Sequence, residues 1–364
     1  MKQEFIMQMR PLFGEDEKKA ISNYMDEDGF LTEFKHTESF ERLIAEYVGV
    51  DHCIVVNNGT ISLTLAALGL GLKPGDEVIV PNYTMIAGPN SMSMIGIDPV
   101  LCDVCPNTLC LSLEEIDKKI TDKTRAVMLM TANGREPFEG IEAFKRFCKE
   151  KEIFLIEDAA QALGSKYTSG KHIGSGSDIA SFSFSAPKII STGQGGALVT
   201  NNSELASRIR KLKDFGRSTG GNDFHETIGF NFKFTELQAV IGIEQMKKLD
   251  IRVARKKEIY TAYRDGLSDI VEVQLFDCDL NSNSPWFYDC RVKFRGDLMN
   301  HLRENGIGTR EMYPPINEQP FIKYEDNFPV SKEIGEKGLW IPSQVQLTNE
   351  QINYICENIK NFYK

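Results

Sequence analysis

The sequence predicts an α/β protein: a three-layer large domain around a mostly parallel seven-stranded sheet, followed by a smaller α+β domain. Two observations lead to this prediction. Short apolar runs bounded by turn residues alternate with amphipathic helical stretches, which is typical of a parallel sheet covered by helices. After Thr200 the pattern changes to long helical stretches, and then to short strands mixed with helices. We expect the large domain at residues 1–250 and the small domain at residues 251–364.

Seven apolar runs are predicted as the strands of the large sheet, at residues 53–57, 77–81, 99–104, 125–130, 153–158, 179–184 and 196–200. Helical periodicity predicts helices at residues 15–24, 61–70, 140–151, 203–215, 235–249 and 251–267. In the small domain we expect a strand at residues 287–294 and helices at 297–305 and 349–362. The first forty residues could pack on either domain.

Composition and charge narrow the function classes. A net charge of -10 and a pI near 5.2 argue against a nucleic-acid or anionic-membrane partner. We see no signal peptide at the N-terminus and no run of the ~18 apolar residues that a membrane-spanning helix needs. The eight cysteines are spread out and are expected to be reduced thiols, so we expect a cytoplasmic protein. Cys102, Cys105 and Cys110 lack the further ligands of a structural zinc site, and we expect no metal.

The strongest local signal is a lysine that follows a predicted strand. Lys188 comes after Pro187, and the glycine-rich turn Thr192-Gly-Gln-Gly-Gly196 follows it. Open α/β sheets bind ligands at the carboxyl ends of their strands. Most lysines are plain surface residues. Here Pro187 restricts the backbone and the glycines let the chain pass close to a bound molecule, which favours a functional lysine.

A second signal is a pair of carboxylates that ends an apolar strand. The run Phe154-Leu-Ile is followed directly by Glu157 and Asp158. A buried carboxylate needs a cationic partner or hydrogen-bond donors. A protonated pyridine nitrogen would serve for Asp158, but a helix cap or a magnesium ligand fits this sequence equally well.

A third signal is the helix start at Asn58-Gly59-Thr60. Free backbone N–H groups and the positive end of the helix dipole can bind a phosphate there, with the Thr60 hydroxyl as a further donor. A plain helix cap is the commoner use of such a sequence. Taken together, a phosphate cradle, a buried acid and a strand-end lysine lie on separate strands of one predicted sheet.

With these features in this order, the sequence resembles the fold-type-I pyridoxal-phosphate (PLP) enzymes, and more narrowly the sugar aminotransferases of the DegT/DnrJ/EryC1 type. The resemblance covers nearly the whole chain, from Asp28-Gly-Phe-Leu-Thr onward. The matching segments are Asn58-Gly-Thr, Pro74-Gly-Asp-Glu-Val-Ile-Val-Pro81, Glu157-Asp-Ala-Ala-Gln161, Ser183-Phe to Lys188, Thr192-Gly-Gln-Gly-Gly196 and Gly229-Phe-Asn-Phe-Lys-Phe-Thr-Glu-Leu-Gln-Ala239.

The resemblance implies a role for each residue of the cofactor site. Lys188 would form the Schiff base with PLP and later carry a proton, while Asp158 would keep the pyridine nitrogen protonated. Gln161 would lie beside the phenolic oxygen of the cofactor. The chain would form a homodimer with shared active sites. The phosphate would be held by Gly59, Thr60 and Ser183 of one subunit and by Asn231 of the other.

Some positions depart from the usual pattern of the family. Met85 stands where members often have an aromatic ring stacked on the cofactor, and its sulfur can pack on a ring face instead. Thr131-Ala-Asn-Gly134, followed by Arg135, replaces the common His-Leu-Tyr-Gly segment. Gln194 stands where Glu is usual, and Lys233 where Arg is usual.

The predicted small domain resembles the nucleotide-sugar side of the family. Arg310 offers a guanidinium for a diphosphate, with the ring of Tyr313 beside it, although Arg310 could instead pair with a neighbouring acid. Trp286 and Trp340 are expected in the core or in an interface.

The resemblance implies a transaminase that alternates between PLP and pyridoxamine phosphate (PMP). It would take the amine of L-glutamate and pass it to C4 of a nucleotide-linked 4-keto-6-deoxyhexose. Within the family the sequence is most similar to enzymes that act on a GDP-linked sugar, and UDP- and dTDP-linked sugars are the alternatives. A second class is the PLP/PMP-dependent sugar dehydratases, which carry His where Lys188 stands, so this lysine favours transamination. A cofactor-binding regulator would need a DNA-binding module, which the acidic charge opposes.

Overall fold

The structure is a computed structural model, and it describes residues 5–27, 29–220, 223–322, 324 and 326–364. The larger sheet consists of β1 (His52–Val56), β2 (Glu77–Pro81), β3 (Asp98–Cys102), β4 (Thr124–Met130), β5 (Phe154–Asp158), β6 (Ile179–Ser183) and β7 (Gly196–Thr200). Their order is β1-β7-β6-β5-β4-β2-β3. Strand β7 is antiparallel to β1 and β6, and the other neighbours are parallel. The seven predicted strands are confirmed.

Helices cover both faces of this sheet. Successive side chains of a strand point to opposite faces, and apolar side chains lie on both faces. In β1, Val55 joins one core with Phe40 and Phe144, whereas Ile54 joins the opposite core with Leu65. The predicted three-layer α/β architecture is therefore confirmed. The helices up to this point in the fold are α1 (Glu15–Asp26), α2 (Lys35–Val48), α3 (Gly59–Leu70), α4 (Ala87–Ser93), α5 (Leu113–Asp117), α6 (Ile141–Glu150), α7 (Ser203–Lys213) and α8 (Glu236–Met246).

Two of these helices show how the sequence sets their ends. Helix α3 begins after Asn58, whose side-chain oxygen accepts the N–H of Ile61 at 2.9 Å, and it ends at Gly71 in the left-handed conformation. Helix α7 was predicted to reach Phe215 but ends at Lys213. Phe215 has a φ of 55°, which a continuing right-handed helix does not allow.

A second, four-stranded antiparallel sheet lies in the C-terminal part of the chain, in the order β10-β11-β9-β8. Its strands are β8 (Val273–Leu275), β9 (Tyr288–Val292), β10 (Arg310–Glu311) and β11 (Gly338–Ile341). The helices here are α9 (Leu249–Leu267), α10 (Arg295–Glu304), α11 (Pro329–Lys337) and α12 (Asn349–Tyr363). Residues of α9, α10 and α12 pack with this sheet in a third apolar core. The domain boundary at residue 250 stays a prediction.

The N-terminal segment contacts both parts of the molecule. Helix α1 packs on α8, while residues 5–11, here called the strap, run along the C-terminal part. The strap is fixed by backbone hydrogen bonds from Ile6 N to Gly306 O (2.8 Å) and from Gly308 N to Ile6 O (2.7 Å). A Cβ atom at Gly308 would lie 3.0 Å from the Phe5 ring and 3.1 Å from Ile6 O, so the close approach requires glycine. Among the described residues, no helix has the length and apolar character needed to cross a bilayer.

Candidate active site

Three functional segments meet at one edge of the larger sheet. Strands β1, β5 and β6 run in the same direction, because β1 and β6 are both antiparallel to β7 and β5 is parallel to β6. Gly59, Asp158 and Lys188 come at or after the carboxyl ends of these strands. The carboxyl edge of a parallel sheet is where α/β proteins place their ligands. The structure therefore places the three sequence-predicted signals at the same edge of one sheet.

Lys188 lies against an aromatic ring. Its Nζ atom is 4.1 Å from the centroid of the Trp286 ring. The ring is held in turn by a hydrogen bond from Trp286 Nε1 to the carbonyl oxygen of Pro187 at 2.8 Å. Burial lowers the pKa of Lys188 to about 8, with Asp158 opposing the shift and Arg310 adding to it. A lysine with this pKa has an appreciable neutral fraction near neutral pH, so it can act as a nucleophile and proton carrier.

Asp158 is 6% exposed and ends β5. Its Oδ1 atom accepts the N–H of Ala160 at 3.1 Å. Burial raises the pKa of Asp158, and the Ala160 hydrogen bond and the charge of Lys188 oppose this. A buried carboxylate with one backbone donor can accept a cationic ring nitrogen as a further partner.

Glu157 lies on the opposite side of the strand, because successive side chains of a strand alternate. It is fully buried and accepts hydrogen bonds from Tyr167 Oη at 2.7 Å and from Gly174 N at 3.1 Å. Burial raises the pKa of Glu157 to about 7. The two adjacent carboxylates therefore have separate surroundings, and only Asp158 belongs to the candidate site.

The start of α3 forms an anion cradle. The Asn58 side chain caps Ile61 N, while the N–H groups of Gly59 and Thr60 have no hydrogen-bond acceptor within the described residues. Ser183 faces this turn: a Cβ atom at Gly59 would lie 3.1 Å from Ser183 Oγ, so glycine allows the hydroxyl to come close. Free N–H groups at a helix start, joined by a hydroxyl, suit a phosphate group.

Gln161 and Tyr313 lie on the Asp158 side of the site. Gln161 Oε1 accepts the N–H of Asn133 at 2.7 Å. Burial raises the pKa of Tyr313, whose surroundings include the charges of Arg310 and Asp158 and a hydrogen bond with Gln161. Tyr313 therefore lies nearer to the predicted cofactor position than the sequence indicated.

Arg310 is exposed, and its guanidinium carbon is 5.4 Å from the centroid of the Trp340 ring. It forms no ion pair within the described residues. The acid next to it, Glu311, approaches Arg295 instead, at 3.5 Å. Arg310 is thus free to bind an anion, which was one of the two alternatives that the sequence left open.

Two further predicted cofactor residues, Met85 and Asn231, are exposed to solvent. Met85 is 45% exposed, and its sulfur accepts the N–H of Ala87 at 3.0 Å. Asn231 is exposed and its side-chain oxygen accepts the N–H of Lys233 at 3.4 Å. In the described part of the chain, no hydrogen bond joins Asn231 to Lys188, Asp158 or Ser183. The expectation that Asn231 serves a partner subunit remains a prediction.

Sequence reasoning missed a polar connection between the two sheets. Asn133 has a φ of 55° and donates to Phe287 O at 2.7 Å and to Asp289 Oδ1 at 3.0 Å. Its own side-chain oxygen accepts Phe287 N at 2.7 Å. Arg135 forms a buried ion pair with Asp289. The departure from the family pattern at residues 131–135 was the available signal, and its structural result is a connection to β9.

The site residues fit the chemically distinct parts of PLP. The start of α3 and Ser183 suit the phosphate, Asp158 suits a protonated ring nitrogen, and Lys188 can bind an aldehyde. The acid and the lysine with a lowered pKa at this edge are the side chains that need such partners. The fold and the site therefore define a PLP-dependent enzyme of fold type I.

Comparisons with known proteins give the family. The DegT/DnrJ/EryC1/StrS aminotransferase family matches residues 11–360. The chain is 34% identical to GDP-perosamine synthase of Escherichia coli O157:H7, over 99% of both chains. It is 31% identical to dTDP-4-dehydro-2,3,6-trideoxy-D-glucose 4-aminotransferase of Saccharopolyspora spinosa, over 96% of this chain and 95% of that protein. The solved structure of S. venezuelae DesV with a ketimine intermediate has a TM-score of 0.90 at 30% identity and covers 96% of this chain and 95% of that one.

The chain belongs to the DegT/DnrJ/EryC1/StrS aminotransferase family. It is a PLP-dependent aminotransferase, and the fold, the cofactor and the reaction class expected from the sequence are confirmed.

Proposed function

We propose that this enzyme transfers the amino group of L-glutamate to C4 of a GDP-linked 4-keto-6-deoxyhexose, as in a GDP-perosamine synthase. The observation that carries the proposal is the unpaired guanidinium of Arg310, which is close enough to Lys188 to lower its pKa. An arginine here can hold a diphosphate while the sugar carbon faces the lysine. The nucleotide and the C4 position follow the relative that is 34% identical over 99% of both chains.

Each site residue has a distinct task in this proposal. Bound PLP supplies an electron-withdrawing ring that allows an amino group and a proton to move between two substrates. Lys188 holds the cofactor between reactions and carries the proton on Nζ when it is free. Asp158 would keep the ring nitrogen charged, and Gln161 would lie beside the phenolic oxygen of the ring. Gly59, Thr60 and Ser183 would hold the phosphate, and Met85 would pack on the ring.

The active site is shared between two subunits of a homodimer in this proposal. Asn231 has exposed apolar neighbours in the sequence, Ile228 (79% exposed) and Phe230, and the exposed Phe215 is hydrogen-bonded through its backbone to Phe230. Phe30 is 67% exposed as well. Clusters of exposed aromatic residues mark interaction surfaces. A second copy of the chain would cover this surface and bring Asn231 to the phosphate of the neighbouring site. The eight free thiols agree with a cytoplasmic location.

The test is a substrate panel. The PLP-loaded protein is incubated with L-glutamate and with GDP-, UDP- or dTDP-linked 4-keto-6-deoxyhexose, and the products are identified by mass and by NMR. We expect the GDP-linked sugar to gain an amine at C4 with the highest kcat/KM. The dTDP-linked sugar is the second candidate because of the relative from Saccharopolyspora spinosa. A product that has lost water without gaining nitrogen would instead identify a dehydratase.

A further inference from the structure

We propose that Asn133 is a positioning residue of the cofactor site, which fixes the side-chain amide of Gln161 with its NH2 group toward the phenolic oxygen of PLP. This inference rests on the proposed function, because that function places Gln161 beside the phenolic oxygen. Asn133 belongs to residues 131–135, here called the 131–135 loop, which follow β4. The first four residues of this loop replace the usual His-Leu-Tyr-Gly segment of the family.

The backbone of Asn133 determines which end of the Gln161 amide faces the loop. The N–H of Asn133 donates to Gln161 Oε1 at 2.7 Å. A backbone N–H can only donate, so it selects the oxygen end of the amide and turns the NH2 group the other way. The hydrogen bond between Gln161 and Tyr313 agrees with this orientation. It opposes the rise in the pKa of Tyr313 that burial causes, as expected when a phenol oxygen accepts from an NH2 group.

The side chain of Asn133 anchors the loop next to β9. Its Nδ2 atom donates to Phe287 O and its Oδ1 atom accepts Phe287 N, both at 2.7 Å. Nδ2 also donates to Asp289 Oδ1 at 3.0 Å. Asn133 is buried, so the loss of its side chain would leave the polar backbone groups of Phe287 without these partners in the interior. The position of the N–H that binds Gln161 therefore depends on the Asn133 side chain.

Two further contacts hold the loop after Asn133. Asn283 Nδ2 donates to Gly134 O at 2.6 Å. Arg135 forms its buried ion pair with Asp289, the same acid that accepts from Asn133. A substitution at Asn133 therefore loosens a loop that keeps these other contacts to the C-terminal part of the chain.

The orientation of Gln161 has a measurable effect on the colour of the enzyme. An NH2 donor stabilises negative charge on the phenolic oxygen, whereas an amide oxygen in its place would repel that charge. The yellow form of the lysine-bound cofactor carries a proton that the phenolic oxygen helps to hold. Loss of the donor therefore raises the pH midpoint at which this proton and the yellow absorbance are lost. The other charged or titratable groups around this part of the site are unchanged by the substitutions below, and they are Asp158, Lys188, Arg310 and Tyr313.

The experiment follows the yellow absorbance of the PLP-loaded enzyme against pH, without glutamate or sugar. We expect Gln161→Ala to raise the midpoint by about one pH unit, the size of one hydrogen bond to a charged group. Asn133→Gly should raise it by about half a unit, because the amide is then only partly oriented. Glycine accepts the φ of 55° without strain, so this variant removes the side-chain bonds and keeps the N–H. Asn283→Ala loosens the same loop at Gly134, should raise the midpoint by less, and serves as the test if Asn133→Gly does not fold.

A double-mutant cycle separates positioning from a general structural role. If Asn133 acts through Gln161, Asn133→Gly should not raise the midpoint further in a Gln161→Ala background. The matched control is Asn358→Ala, which removes another buried asparagine whose Nδ2 donates to a backbone oxygen, Tyr354 O at 2.8 Å. This control should lower the Tm and leave the midpoint unchanged.

The outcomes separate this inference from the proposed function. An unchanged midpoint in Gln161→Ala would contradict the place of Gln161 beside the phenolic oxygen, and with it this inference. A raised midpoint in Gln161→Ala but not in Asn133→Gly or Asn283→Ala would overturn the role of Asn133 alone. An equal shift by Asn133→Gly with and without Gln161 would also overturn it. These titrations use no sugar nucleotide, so they can support the positioning role even if no sugar in the substrate panel gains an amine.

Discussion

The amino group of Lys188 lies over the ring of Trp286, with Nζ 4.1 Å from the ring centroid. The backbone of this residue is held as well, since the buried Lys256 donates to the main-chain carbonyl oxygen of Trp286 at 2.6 Å. Trp286 is 4% exposed, and the sequence had predicted a place in the core or in an interface. The structure adds contact with the proposed catalytic lysine, so Trp286 shields that amine from water.

The first prediction concerns the covalent attachment of the cofactor. Among the residues that the structure describes, two lysines have pKa values lowered by burial, to about 8 for Lys188 and about 7 for Lys256. We expect Lys188→Ala to lose the yellow absorbance of the lysine-bound cofactor while PLP still binds without a covalent bond. Borohydride reduction of the wild type followed by peptide mass analysis should find the cofactor on Lys188.

Lys256→Met is the control for this prediction. Lys256 donates only to the backbone oxygens of Trp286 and Ser343, and it should not be labelled. A modified Lys256 peptide, or unchanged yellow absorbance in Lys188→Ala, would show that the assignment of the lysine is wrong.

The second prediction compares two adjacent carboxylates. Asp158→Asn should keep the fold but lower kcat by about a hundredfold to a thousandfold, as for the loss of one preorganised electrostatic group. An amide cannot keep the ring nitrogen protonated. Glu157→Gln, one residue away on the other face of β5, should retain most of the rate, because its partners are Tyr167 and Gly174. Equal rates for Asp158→Asn and the wild type would leave Asp158 with a structural role only.

The third prediction concerns stability and pH. Burial raises the pKa of Glu157 from 4.5 to about 7. Because the folded pKa lies above the unfolded one, the native state binds the proton more tightly. The stabilisation is fully present below pH 4.5 and is lost as the pH rises to about 7. Denaturant unfolding should show the wild type losing about 3 kcal/mol relative to Glu157→Gln over this range. A difference between the two proteins that does not change with pH would contradict the raised pKa.

The fourth prediction tests whether two subunits share a site. Lys188→Ala and Asn231→Ala chains, refolded together, form mixed dimers in which one site has both defects and the other has none. Random pairing makes half of the dimers mixed, so roughly a quarter of the wild-type activity should return. Each variant refolded alone is the control. A mixture no more active than the mean of the separate variants would show that Asn231 does not act across an interface.

The strands and the central site residues could be predicted from the sequence because their signals are local. The apolar run that forms β5, for example, ends at Asp158 in the structure as in the sequence. Lys188 and Gly59 were recognisable from neighbours within a few positions, since turn and helix-start chemistry depends on adjacent residues.

The rest depends on contacts between distant residues. Asn133 forms hydrogen bonds with Phe287, and Arg135 with Asp289, about 150 positions later in the chain. No local sequence pattern predicts such a contact. The contact of Trp286 with Lys188 has the same origin. Residues 131–135 differed visibly from the family pattern, but only the folded chain shows that they bind β9.

The two tryptophans of the chain, Trp286 and Trp340, make the active site visible to spectroscopy. Their rings lie 5.8 Å apart, one against Lys188 and the other beneath Arg310. All of the tryptophan fluorescence of the protein therefore originates next to the chemistry. Light absorbed by these indoles can pass to a bound chromophore, so emission should fall when the cofactor enters. With Trp340→Phe, the remaining emission comes from Trp286 alone and reports the surroundings of the lysine without any added label.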